Sequence, residues 1–116
     1  MDRIRIATRR SALAMWQAHH VADLLRECHP ELQVELVEVV SQGDRDQTSI
    51  LSSVGGKGLF ITALEEVLTA GDAEVAVHSM KDVPAIVPEG FRMSTISARA
   101  DVRDALLTRD GRTLET

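Results

Sequence analysis

Polar and apolar residues alternate in Arg3-Ile4-Arg5-Ile6-Ala7, the period-two signature of a strand with one face on a core. From Ser11 onward, Leu13, Trp16, Ala18, Val21, Leu24, Leu25 and Cys28 recur at intervals of three and four. Ser11 is placed to cap a helix and Pro30 stands just beyond its end, so the spacing predicts an amphipathic helix of about four turns. Val34 to Val40 is rich in β-branched residues and predicts a second strand, parallel to the first because the helix serves as a crossover. Leu59, Phe60, Ala63, Leu64, Val67 and Leu68 form a second helical stripe stopped by Gly71. Glu74 to His78 then predicts a short buried strand, and Phe91 to Ile96, after Pro84 and Pro88, a further one. The expected fold class is α/β, an open sheet with crossover helices.

Composition narrows the function classes. The chain has 116 residues, enough for one compact domain, and its 44% hydrophobic and 27% charged residues are those of a globular protein rather than a disordered one. No apolar run reaches the ~18 residues of a membrane span and no signal-peptide pattern follows Met1, so a cytoplasmic location without membrane contact is expected. Thirteen basic against 18 acidic residues give a net charge of −5, and three aromatic side chains offer no stacking ladder, which argues against nucleic acid as a partner. The single cysteine, Cys28, excludes an intrachain disulfide; on the apolar face of the first helix it is expected to be a buried, inert thiol. His19, His20 and His29 lack zinc-site spacing, and no metal is expected.

Ligands of open α/β sheets bind beyond the carboxyl ends of the strands. The first loop there, Thr8-Arg9-Arg10-Ser11, sets two guanidinium groups and two hydroxyls before a helix N-terminus, a setting suited to a carboxylate or phosphate. The alternative is that Ser11 only caps the helix and both arginines lie in solvent. The long stretch 41–58 carries Gly55-Gly56-Lys57-Gly58, where close backbone approach and a lysine suit an anion; Leu51 and Gly58 depart from the Walker A pattern. The third loop, His78-Ser79-Met80-Lys81-Asp82-Val83-Pro84, places a cation beside an anion. Asp82 there suits a developing cation and Lys81 a substrate carboxylate, or the two form a surface pair. His78 is expected to be a hydrogen-bonded core histidine rather than a base.

Three strings, read together, carry a resemblance. Ile6-Ala7-Thr8-Arg9-Arg10-Ser11-Ala12-Leu13-Ala14 with Trp16-Gln17-Ala18, then Val54 to Phe60, then Val77 to Pro84, resemble the porphobilinogen deaminases, or hydroxymethylbilane synthases, in order and spacing. The resemblance runs from about Arg3 to about Leu107 and covers only about the first third of a family member. It implies a transferase of tetrapyrrole (heme) biosynthesis that joins four porphobilinogen units head to tail into hydroxymethylbilane, losing ammonia at each step. It further implies a dipyrromethane cofactor, and a lobe like that of the type II periplasmic binding proteins. Carried onto this sequence, Asp82 is the catalytic carboxylate facing pyrrole N–H groups. Arg9, Ser11 and Lys81 bind acetate and propionate side chains; Ser79, Gln17 and Arg99 support them, and Lys57 lies on a mobile loop.

The family's cofactor cysteine has no counterpart here, since Cys28 does not match it. Residues 1–97 are expected to form the amino-terminal domain, and residues 98–116 a hinge and the first strand of a second domain. Such a chain is expected to be inactive alone and to leave a sheet edge open, covered by further domains or by a second copy. A different class, a non-catalytic half-domain binding a small dicarboxylate or tetrapyrrole-like anion, is the other reading.

Overall fold

The computed structural model describes residues 1–40, 58–83, 85–95 and 97–98. In chain order they form β1 (Arg3–Arg9), α1 (Ala12–Cys28), β2 (Gln33–Val39), α2 (Gly58–Thr69), β3 (Val75–Ala76) and a 3-10 turn (Met80–Asp82). Both pairings are parallel and the sheet order is β2-β1-β3, so each helix is a crossover and β1 lies in the middle. The expected α/β sheet with crossover helices is present.

Register explains the layering. Ile4 and Ile6 pair with Val34 and Leu36. This set packs with Ala18, Val21, Ala22 and Leu25 of α1. On the opposite face Ala7 pairs with Val37, and Arg9 with Val39. There Ala7, Val37 and Val39 pack with Leu64, Val67 and Leu68 of α2 and with Ala73. The sheet is therefore covered on both faces, which corrects the expectation of one core face for β1. The polar residue that suggested a solvent face, Arg5, reaches Glu74 and the Gly71 carbonyl instead.

The face of α1 that meets the sheet is narrower than its apolar residues suggested. Leu13 and Trp16 are 53% and 63% exposed. At roughly 100° per residue, Trp16 stands almost opposite Ala18, so the two cannot share a core face. Cys28 occupies the last helical position and is exposed, which corrects the expected buried thiol.

Helix α2 ends in a left-handed glycine. Gly71 has φ of +79°, its N–H donates to the Leu68 carbonyl at 3.1 Å, and the Asp72 N–H donates to the Val67 carbonyl at 3.0 Å. These are the two bonds of a Schellman motif, which satisfies the last carbonyls of the helix. The expected stop at Gly71 is where the helix stops.

Two expected strands are shorter or missing. Of Glu74 to His78 only Val75 and Ala76 pair, with Ile6 and Ala7. Glu74 and Val77 extend the contact by one backbone bond each, to the carbonyls of Arg5 (3.1 Å) and Ala7 (3.2 Å). Residues 91–95 form no strand. The Phe91 N–H closes a turn on the Pro88 carbonyl at 3.2 Å through Gly90 at φ +90°, and Arg92 to Thr95 are exposed, with no buried alternate face to hold a strand. Ile96, Pro84, the stretch 41–57 and residues 99–116 lie outside the described residues.

Candidate active site

A parallel sheet sends all its strand ends to one edge, so the loops after β1 and β3 meet there. After β1, Thr8 is fully buried, with its hydroxyl 3.0 Å from the Arg9 carbonyl and 3.3 Å from the Ala14 carbonyl. One hydroxyl proton serves these two acceptors, which fastens the end of the strand to the first turn of α1. Ser11 caps that turn: its backbone is extended (φ −62°, ψ 153°) and its Oγ accepts from the Ala14 N–H at 3.3 Å. No acidic residue lies in the first turn, so the positive end of the helix dipole has no carboxylate of its own. Arg9 is half-buried, and Arg10 and Ser11 are exposed. Ser11 is thus a cap, the plainer of its two readings, and it sits where an anion would also be favoured.

After β3 the chain enters its 3-10 turn. The Asp82 N–H donates to the Ser79 carbonyl at 3.0 Å and the Val83 N–H to the Met80 carbonyl at 3.1 Å. Lys81 is exposed and Asp82 half-buried, so they point to different environments. Gln17 of α1 donates from Nε2 to the Ser79 Oγ at 2.9 Å, and that hydroxyl also lies 3.2 Å from the Gln17 Oε1. This contact brings together two residues 62 positions apart, both singled out from sequence.

His78 joins the two loops electrically. It is half-buried, and burial holds its imidazole below the usual value of 6.5; the Asp82 charge raises it and the Arg9 charge lowers it. No hydrogen bond of its ring occurs among the described residues, so the expected hydrogen-bonded core histidine is corrected to a partly desolvated one facing Asp82 and Arg9. Its position directly after β3, whose two residues are half-buried rather than buried as expected, and before Ser79 was the available signal.

Arg9, Ser11, Gln17, Ser79, Lys81 and Asp82 therefore belong to one edge, whereas Lys57 and Arg99 lie outside the described residues. Elsewhere, the exposed Trp16 stacks on His20 with ring centroids 5.2 Å apart. Among the described residues no group of His, Cys, Asp or Glu is placed to hold a metal, and no helix is long and apolar enough to cross a membrane. Cys28 stands at the opposite end of α1 from Ser11, roughly 26 Å along a helix rising about 1.5 Å per residue.

The chain matches the family model described as porphobilinogen deaminase, dipyromethane cofactor binding domain, over residues 4–116. It is 50% identical over 108 residues to the porphobilinogen deaminase of Sulfurimonas denitrificans, covering 93% of this chain and 34% of the relative. It is 51% identical over 108 residues to that of Thiobacillus denitrificans, covering 93% of this chain and 35% of the relative. The chain spans about a third of the length of these curated relatives. Because the matched span contains both loops of the carboxyl edge and the strands that deliver them, the chain belongs to the porphobilinogen deaminase family.

Proposed function

We propose that the chain acts as the amino-terminal domain of a transferase that condenses four porphobilinogen units into hydroxymethylbilane, in tetrapyrrole (heme) biosynthesis. The observation that carries the reading is the meeting of the Arg9–Ser11 loop and the Lys81–Asp82 turn at one sheet edge, bridged by Gln17 and Ser79. Porphobilinogen carries an acetate and a propionate, and these suit Arg9, Lys81 and the N-terminus of α1. Its condensation begins when the aminomethyl C–N bond breaks, both electrons leaving with ammonia, and a cation spreads over the pyrrole ring. A carboxylate beside the pyrrole N–H stabilises that cation more than the neutral ground state, and this is the role of Asp82. Ser11 joins Arg9 and Lys81 in binding the acetate and propionate side chains, Ser79, Gln17 and Arg99 support those contacts, and Lys57 completes the set.

The polar donors of the edge also fit a dipyrromethane, whose own acetates and propionates need the same partners. When bound, that group supplies the pyrrole carbon on which the chain grows. Cys28, at the far end of α1, does not hold it. The sheet is read as one lobe of a periplasmic-binding-protein-like pair, with residues 98–116 leading to the next domain. On this reading a further domain supplies the opposing wall of the cleft, and activity requires the two together.

A chimera tests this reading, with this chain replacing the matched segment of the Thiobacillus denitrificans enzyme. Asp82→Asn in the chimera is expected to lower porphobilinogen turnover by about a hundredfold or more, the scale of losing one group aimed at transition-state charge, with unchanged far-UV circular dichroism. Turnover within a few fold of the parent chimera would overturn the role of Asp82.

A further inference from the structure

A serine just before a helical turn ordinarily folds its hydroxyl back onto the turn's own backbone N–H groups. Ser79 does not. It precedes the 3-10 turn with extended backbone (φ −68°, ψ 138°), makes no capping bond, and turns its hydroxyl to the Gln17 amide on α1. Both side chains are partly buried, and the hydroxyl meets both ends of the amide, at 2.9 Å from Nε2 and 3.2 Å from Oε1. A hydroxyl both donates and accepts, so the contact holds in either orientation of the amide.

The turn needs an external hold. Three residues of 3-10 helix closed by two bonds do not order themselves in water. On one side the turn follows a strand with two paired residues, and on the other the chain continues through Ala85 and Ile86, both exposed. Gln17, by contrast, neighbours Ala18, which is fully buried in the cluster that α1 forms with Ile6 of β1. The amide therefore ties a short turn with two bonds of its own to a helix packed on the core.

We propose that Gln17 is a positioning residue that, through Ser79, fixes the orientation of the turn presenting Lys81 and Asp82. The inference rests on the functional reading above and adds how the aspartate is aimed. Because the pair is neutral, its loss changes the direction of the carboxylate and leaves the charges around it in place. A displacement of about 1 Å at a catalytic group can cost roughly a hundredfold in rate, so a tether of this kind is worth rate rather than affinity.

Two readouts test it. In this chain, hydrogen exchange of the Asp82 and Val83 amides is expected to quicken about tenfold in Gln17→Ala and in Ser79→Ala, with the Ile6 and Ala7 amides of β1 unchanged. In the chimera, both variants should lower kcat about tenfold or more, a larger change than any rise in KM, with the pH dependence of kcat unmoved. The double variant should be no worse than either single one, and Ser79→Thr, which keeps the hydroxyl, should restore the rate. Unchanged exchange at the turn, or additive losses in the double variant, would overturn the tether. Faster exchange with undiminished kcat would make the contact structural only, overturning the positioning role while the functional reading stands. Full turnover in Asp82→Asn is the separate result that removes the functional reading itself.

Discussion

Strand β3 is held at its two ends by side chains that differ in kind. Before the strand, Glu74 receives Arg5 from the middle of β1 through Nε at 3.1 Å, through Nη2, and through the Arg5 backbone N–H at 2.6 Å; Arg5 Nη2 also donates to the Gly71 carbonyl at 2.7 Å. After the strand, Ser79 meets the neutral Gln17. The charged clamp sits at the amino side of the sheet, where a guanidinium also complements the carbonyl end of α2. The neutral tether sits at the carboxyl edge, beside Asp82, Lys81 and Arg9. A second ion pair there would compete for the charges of Asp82, Lys81 and Arg9, whereas an amide and a hydroxyl hold the turn without adding charge. Architecture and chemistry are thus fastened to the same two residues of strand by interactions that respond to different conditions.

The largest way to break the comparison is to remove what lies behind both ends. Leu64 is 1% exposed and packs against Ala7 and Ala73. Leu64→Ala is expected to lower stability by roughly 2–4 kcal/mol in urea unfolding of the chain, loosening clamp and tether together. A loss well below that range would mean that α2 does not seal this face. Next is Gly71→Ala. Its φ of +79° is unfavourable for any side chain although nothing lies within 4 Å of the added carbon, so a loss of about 1 kcal/mol is expected from the backbone alone.

Smaller again is the charge of the clamp. The Arg5 hydrogen bonds hold the Glu74 carboxyl below its ordinary 4.5. The stability this adds is complete above that ordinary value and is lost as pH falls through the lowered one. Glu74→Gln should therefore be less stable than the parent at neutral pH and converge with it in acid, while exchange at the Asp82 amide stays the same. A gap that persisted at low pH would show that the charge is not what matters.

The smallest effect is a titration. Burial keeps the His78 imidazole below 6.5, so it is neutral in the fold above that pH, and whatever stability depends on this declines as pH falls from 6.5 through the lowered value. Asp82→Asn removes a raising charge and should move the His78 midpoint further down, whereas Arg9→Gln removes a lowering charge and should move it up. Nuclear magnetic resonance titration of the imidazole reads both, and movement in the opposite sense would separate His78 from that cluster.

Much of the architecture was legible because it is local. The alternation of Arg3 to Ala7, the Ser11 cap, the β-branched run of Val34 to Val40 and the Gly71 stop each specify a backbone conformation within a few residues, and all four appear. The loops of the candidate site were legible too, since parallel strands joined by crossover helices must gather their ends at one edge. Other features were settled only by tertiary packing. The stripe through Leu13, Trp16 and Cys28 looked continuous on paper, yet a sheet covers only one arc of α1, and Ala18, Val21, Ala22 and Leu25 took it. Phe91 to Thr95 has a strand's composition, but a strand exists only where a neighbour accepts its hydrogen bonds, and here Phe91 closes a turn on Pro88. The sequence by itself determined the two crossover helices, the first two strands and the polar character of the loops that follow β1 and β3. The tertiary structure decided that Arg5 faces Glu74 instead of water, that His78 is desolvated, and that Gln17 meets Ser79, because each depends on two stretches of chain far apart in sequence arriving within hydrogen-bonding or Coulombic reach.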